Sequence, residues 1–118
     1  MYAIADQHDL LVVNVFHAGD GNLHPILVFD AREPGIWERV HGAGDAIVRA
    51  CVAAGGVLSG EHGIGLEKLG AMGQQFAPPE LDLLRAVRAA FDPQGILNPD
   101  KAIPLAGDDA RRGVFAHA

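Results

Sequence analysis

Apolar positions change their spacing several times along the chain, and each change predicts an element. Residues 2–8 (YAIADQH) read as the tail of a helix that continues upstream. Residues 10–16 (LLVVNVF) are short and rich in β-branched side chains, so the pattern predicts a buried strand. Residues 18–22 (AGDGN) carry turn chemistry, and residues 23–29 (LHPILVF) predict a second strand, giving a β-hairpin. Pro25 has no N–H for a ladder, so it belongs near the start of that strand or on an edge.

From Ile36 onward the period lengthens to three and four. Ile36, Trp37, Val40, Ala43, Ile47, Ala50, Cys51 and Ala54 fall on one helical face, and Gly55-Gly56 ends the helix. Residues 57–59 read as briefly extended, 60–65 as a tight loop and 66–72 as a short helix. Pro78-Pro79-Glu80 opens a further helix through Ala90 with a stripe of Leu81, Leu84, Val87 and Phe91, which Asp92-Pro93 stops. Two strands and about three helices make an α+β fold with an antiparallel hairpin or small sheet. A two-stranded sheet alone is marginal, so further strands are expected from outside these residues or from a second copy. Residues 1–104 are expected to form one domain segment and 105–118 a flexible tail.

Composition narrows the function classes. The chain has 118 residues, 49% of them hydrophobic, which suits one small globular domain. Nine basic residues against 15 acidic ones leave a formal charge of −6, which argues against nucleic acid or an anionic membrane as partner. Neither a membrane-length apolar run nor a secretory signal is present, so the expected location is the cytoplasm, with peripheral attachment at the inner face of the membrane as a second option. The lone Cys51 falls on the apolar side of a helix and reads as a buried structural thiol.

The 15 glycines cluster around two groups of polar functional residues. His17 ends the first strand and His24 begins the second, so a hairpin brings the imidazoles near each other at its open end. Ser59-Gly-Glu61-His62-Gly-Ile-Gly65 places a carboxylate and an imidazole in a loop whose backbone can approach a ligand. Two histidines and a carboxylate are a common set for a divalent metal with open positions, leaving His62 as a base. On residue types alone the reading stays open. A histidine at a strand end is usually a polar cap, His-x6-His matches no standard zinc spacing, and neighbours such as Glu61 and His62 point apart on an extended chain. Asp20 and Asn22 are by default turn formers, and His8, His41 and His117 read as surface residues.

Three blocks, HAGDGNLHPILVFD, SGEHGIGLEKL and FDPQGILNPDKAIP, occur in this order. Together they resemble the C-terminal blocks of the FAD-linked oxidases of the vanillyl-alcohol oxidase superfamily, in the branch of glycolate oxidases and D-lactate and D-2-hydroxyglutarate dehydrogenases. The resemblance runs from Tyr2 to Pro104 and implies that the hairpin and helices are part of a larger ferredoxin-like cap domain. It implies that His17, His24 and Glu61 bind a divalent metal, zinc or manganese, and that His62 is the proton acceptor. It places Asn22 near substrate and flavin, and Asn98, Pro99 and Lys101 against the flavin domain. Pro99-Asp100-Lys101 departs from the commoner Pro-Gly-Lys. The family's pyrophosphate loop and the cations that grip the substrate carboxylate are not found in these residues, so FAD is expected to be held mainly by a domain outside them.

The implied activity is oxidation of a small 2-hydroxy acid to a 2-oxo acid with hydride passing to FAD, the isolated chain being inactive. An iron–sulfur subunit is the implied electron acceptor, and self-association of the isolated chain is expected where a partner surface stays uncovered. Two other classes compete: a stand-alone metal-binding or assembly domain without catalysis, and a hydrolase using water activated by Glu61 or His62. The hydrolase has no nucleophile or oxyanion feature in its favour.

Overall fold

A computed structural model describes residues 1–107. It is an α+β fold in the order α1 (Tyr2–Gln7), β1 (Leu11–His17), β2 (Asn22–Val28), α2 (Ile36–Ala53), a 3-10 turn (Leu69–Ala71), α3 (Met72–Gln75) and α4 (Pro78–Phe91). Most of the expected tail, and His117 with it, lies outside the described residues.

The strands form a two-stranded antiparallel sheet in the register Leu11↔Val28 to His17↔Asn22. Alternation along that register separates two faces. One carries Val12, Asn14, Phe16, Leu23, Pro25 and Leu27, and the other carries Leu11, Val13, Val15, His17, Asn22, His24, Ile26 and Val28. The first face lies on the helices around Val12 and Leu27, while Phe16 and Leu23 at its turn end are exposed. Val12 and Leu10 join Ala5 of α1 and Ile36, Val40 and Ala43 of α2 in one core cluster, with Leu27 and Phe29 packed against it. Phe29 and Trp37 meet edge to face, ring centroids 5.2 Å apart.

The second face is uncovered: Leu11, Val13, Val15, Ile26 and Val28 are all exposed. This corrects the expectation of a buried strand. Only Val12 of β1 is buried, because α1 and α2 supply one layer and no described residue supplies another. Pro25 sits in the middle of β2 opposite Asn14, where a two-stranded sheet leaves each strand one free edge.

Helix α2 is the spine of the molecule. Its N-terminal half closes the first core, while Val48 and Val52 pack against a second cluster of Leu58, Ala71, Met72 and Leu81. Gly55 (φ 85°) turns the chain out of the helix. Cys51 is half-buried rather than buried, and its thiol lies 3.7 Å from the Val57 carbonyl. His8 and His41 are also half-buried: His8 packs over Gly42, and His41 lies against Trp37.

The expected helix at 66–72 begins three residues late. A turn closed by Lys68 N–H to the Ile64 carbonyl (3.2 Å) occupies its start, and Gly70 and Gly73 keep the helical turns after it short. At the start of α4 the Glu80 carboxylate accepts from the Ala77 N–H at 2.7 Å. Only the first half of its expected stripe is covered: Leu81 is fully buried and Leu84 half-buried, whereas Val87 and Phe91 are exposed.

Beyond α4 the chain is irregular but tied down. The Asp92 carboxylate accepts from the Ile96 and Leu97 N–H groups at 2.9 and 2.8 Å. Arg88 donates to the carbonyls of Leu97, Asn98 and Lys101 at 2.6, 2.8 and 2.7 Å, and Arg85 donates to that of Pro104 at 2.8 Å. In the connection between β2 and α2, hydrogen bonds from the Arg32 side chain and N–H hold the exposed Asp30 carboxyl below the usual carboxylate range, and Asp30 raises Arg32 in return. No helix of the described residues is long and apolar enough to cross a membrane.

Candidate metal centre

His17 and His24 stand on the uncovered face of the hairpin, at its turn end rather than its open end. His17 is the last residue of β1, and His24 is the third of β2, opposite Val15. The four-residue turn between the strands uses Gly21 at φ 68° and a hydrogen bond from Asp20 N–H to the His17 carbonyl (3.1 Å). Alternation places both imidazoles on one side of the sheet, with ring centroids 5.2 Å apart.

The third group arrives from the 59–65 loop. A Cβ on Gly60 would lie 2.7 Å from the Asn22 Cγ, so with Asn22 in this position glycine lets the loop press against the hairpin. Ser59 Oγ accepts from the Gly63 N–H at 2.7 Å, and Gly63 (φ 82°) and Gly65 (φ 58°) complete the bend. Glu61 then reaches the histidines. Its Oε1 is 2.9 Å from His24 Nε2, 3.6 Å from His17 Nε2 and 3.7 Å from His62 Nε2. Adjacent side chains diverge on an extended strand, but this segment is bent, so Glu61 and His62 converge. The His62 ring is 5.0 Å from that of His24.

Ligand atoms of His17, His24 and Glu61 all lie within 4.8 Å of one another. Metal bonds of about 2.0–2.2 Å in a tetrahedral site separate neighbouring ligands by about 3.4 Å, and the 2.9 and 3.6 Å separations bracket that value. His24 Nε2 supplies a second test of fit. It is buried and makes no hydrogen bond, although Glu61 Oε1 is 2.9 Å away. Proximity without hydrogen-bond alignment fits groups directed at a common third point. The donor set, two imidazoles and one carboxylate, suits zinc or manganese. The site is open to solvent on one side: the His17 side chain is 55% exposed and that of His24 20%.

Asn22 packs on Gly60 at the base of the cluster. Lys101 lines a groove of about 480 Å³ with residues 62–68, next to the His62 imidazole. The Asn98 carbonyl is held by Arg88 at 2.8 Å. Three contributors carried no role in the sequence reading: Gly60 for its close approach, Arg88 for holding the Lys101 segment, and Lys68 in the groove wall. Lys68 had a signal, since it stands three residues after the glycine-rich loop; Arg88 had none, reading as an ordinary polar position of its helix.

Similarity to known proteins runs through the same blocks. The family model described as "FAD linked oxidases, C-terminal domain" matches residues 1–102. The chain is 54% identical over 101 residues to the glycolate oxidase subunit GlcD of Escherichia coli K12, covering 86% of this chain and 20% of that protein. It is 39% identical over 113 residues to the Bacillus subtilis protein of the same name, covering 96% and 23%. Against a D-lactate dehydrogenase of Archaeoglobus fulgidus it is 37% identical over 101 residues, covering 85% and 22%. The chain thus spans about a fifth of the length of the curated relatives it matches.

Proposed function

The chain belongs to the FAD linked oxidases, whose C-terminal domain it carries over residues 1–102, and from that premise we propose that it forms one wall of a site that oxidises a small 2-hydroxy acid, such as glycolate or D-lactate, to the 2-oxo acid. The observation that carries the reading is the convergence of His17, His24 and Glu61 within 4.8 Å, with His62 beside them. His17, His24 and Glu61 would hold a divalent cation, zinc or manganese, which when bound lends Lewis acidity to a coordinated hydroxyl. FAD, held mainly outside these residues, supplies the hydride acceptor.

The chain's own groups do the rest. His62, on the exposed side of the cluster, accepts the proton of the substrate hydroxyl at an imidazole nitrogen. Glu61 Oε1 lies within 3.7 Å of the Nε2 atoms of His17, His24 and His62, which puts the carboxylate at the centre of the cluster. Asn22, pinned on Gly60, fixes the loop to the hairpin, and Lys101 and Asn98 belong to the edge that meets substrate and flavin. The uncovered apolar face beside the cluster is where the flavin-binding part sits; in the 118-residue chain alone that face or a free strand edge pairs with a second copy. Electrons leave through an iron–sulfur subunit, in the cytoplasm or at the inner face of the membrane. Residues 1–104 act as the domain segment and 105–118 as an appended tail.

The test is anaerobic flavin reduction in the FAD-loaded protein that contains this chain. Glycolate or D-lactate should reduce the flavin, and His62→Ala should slow reduction by roughly 10²–10⁴-fold while leaving metal content unchanged. Flavin that no 2-hydroxy acid reduces contradicts the proposal.

A further inference from the structure

The chain has two lysines, Lys68 and Lys101, and both line the groove beside His62. Both are half-buried. Neither has a carboxylate partner among the described residues, although the chain carries 15 acidic residues. Lys101 Nζ donates once, to the Pro99 carbonyl at 3.1 Å, which leaves two of its three N–H groups for a ligand. Four arginines behave differently: Arg32, Arg39 and Arg85 are paired with carboxylates, and Arg88 is taken up by three carbonyls.

The backbone is shaped to present Lys101. Asn98 (φ 47°), Asp100 (φ 59°) and Ala102 (φ 67°) are left-handed on either side of Pro99 and Lys101. Asn and Asp tolerate that region through local hydrogen bonding; alanine does not. The arrangement is held from outside, by Arg88 on three carbonyls and by Ala102 N–H on the Gly65 carbonyl at 2.9 Å. That last bond ties the Lys101 segment to the turn that carries Lys68. Backbone strain held in place by its surroundings beside two unpaired cations points to a ligand.

We propose that this groove is an oxyanion subsite in which Lys68 and Lys101 together bind one carboxylate or phosphate group next to His62. It stands on the groove alone and does not depend on the metal reading. Glu67 also lines the groove and opposes anion binding, so removing its charge should strengthen the site. The anion has two possible sources with shared chemistry, the carboxylate of an organic acid and the phosphate of a nucleotide cofactor.

The test is a residue-resolved NMR titration of the 118-residue chain at pH 7 and low salt, with a chelator present. The probes are inorganic phosphate, pyrophosphate and glycolate. Amides of residues 63–68 and of Lys101 should shift together, with affinity in the millimolar range. Lys68→Gln and Lys101→Gln should each weaken binding about tenfold, Glu67→Gln should tighten it about twofold, and His17→Ala should leave it unchanged. Pyrophosphate binding more tightly than glycolate assigns the subsite to a cofactor phosphate; the reverse order assigns it to a substrate carboxylate. Shifts that are absent or spread evenly over the surface overturn the proposal. So does a Lys68→Gln/Lys101→Gln variant that binds like the parent. The shift pattern of the unmodified chain decides the matter even where a variant misfolds.

Discussion

The hairpin has two apolar faces with different fates. On one, Val12 is buried and Leu27 half-buried against α1 and α2, with only Phe16 and Leu23 at the turn end left exposed. On the other, Leu11, Val13, Val15, Ile26 and Val28 lie open, and the same row of side chains runs on into His24 and His17. Side-chain chemistry barely separates the faces; what separates them is which one the chain's own helices reach. The covered face holds the fold together, and the open face carries the candidate chemistry. Contiguous exposed apolar surface of this kind marks an interaction site.

The contrast is broken most directly by deleting methylenes on each side. Ile36→Ala, beneath the covered face, should cost about 2–5 kcal/mol in urea unfolding. Val13→Ala, on the open face, should shift stability by about 0.5 kcal/mol or less. Equal losses would mean that the open face is buried in solution.

The open face can also be tested for what it attracts. Ile26→Lys should shift the chain toward monomer in sedimentation velocity, because a charge in an apolar contact is costly. Unchanged association would direct attention to the free strand edges.

The fold was legible where one chain supplies all its own contacts. The stripe beginning at Ile36 predicted α2 to within a residue, because Ile36, Val40, Ala43 and Ile47 all meet described partners. It failed where the partner is not among the described residues. A run such as LLVVNVF reads the same whether its second face is covered by its own chain or by another, so β1 was expected to be buried and is not. The candidate site was legible in part as geometry: the hairpin pattern paired His17 with His24, although at the turn end and not the open end, and Glu61 joined them only through the resemblance. The loop that brings Glu61 in rests on the contact of Gly60 with Asn22, which no spacing encodes.

That dependence sharpens the comparison further. Gly60→Ala places a Cβ against Asn22 and should push the Glu61 loop away from the histidines. We expect about a tenfold loss of zinc affinity by calorimetry, with little change in the urea midpoint, since Gly60 itself belongs to neither core cluster. The smallest effect is expected at Asp100, where φ is 59°. Asp100→Gly relieves a left-handed backbone and should raise stability by up to about 1 kcal/mol, less whatever the greater freedom of glycine costs in the unfolded chain. A clear loss of stability would show that the Asp100 side chain has a role of its own.

The central claim is that the open face ends in a divalent metal site built from His17, His24 and Glu61. Calorimetric titration of the 118-residue chain with zinc and manganese tests it most directly. The account predicts one equivalent bound, weakly, because partners from outside the chain normally orient such ligands. It predicts affinity lowered at least about tenfold by each of His17→Ala, His24→Ala and Glu61→Gln, and only slightly by His62→Ala. Parent-like binding in those three ligand variants, or binding lost only with His62, would contradict it.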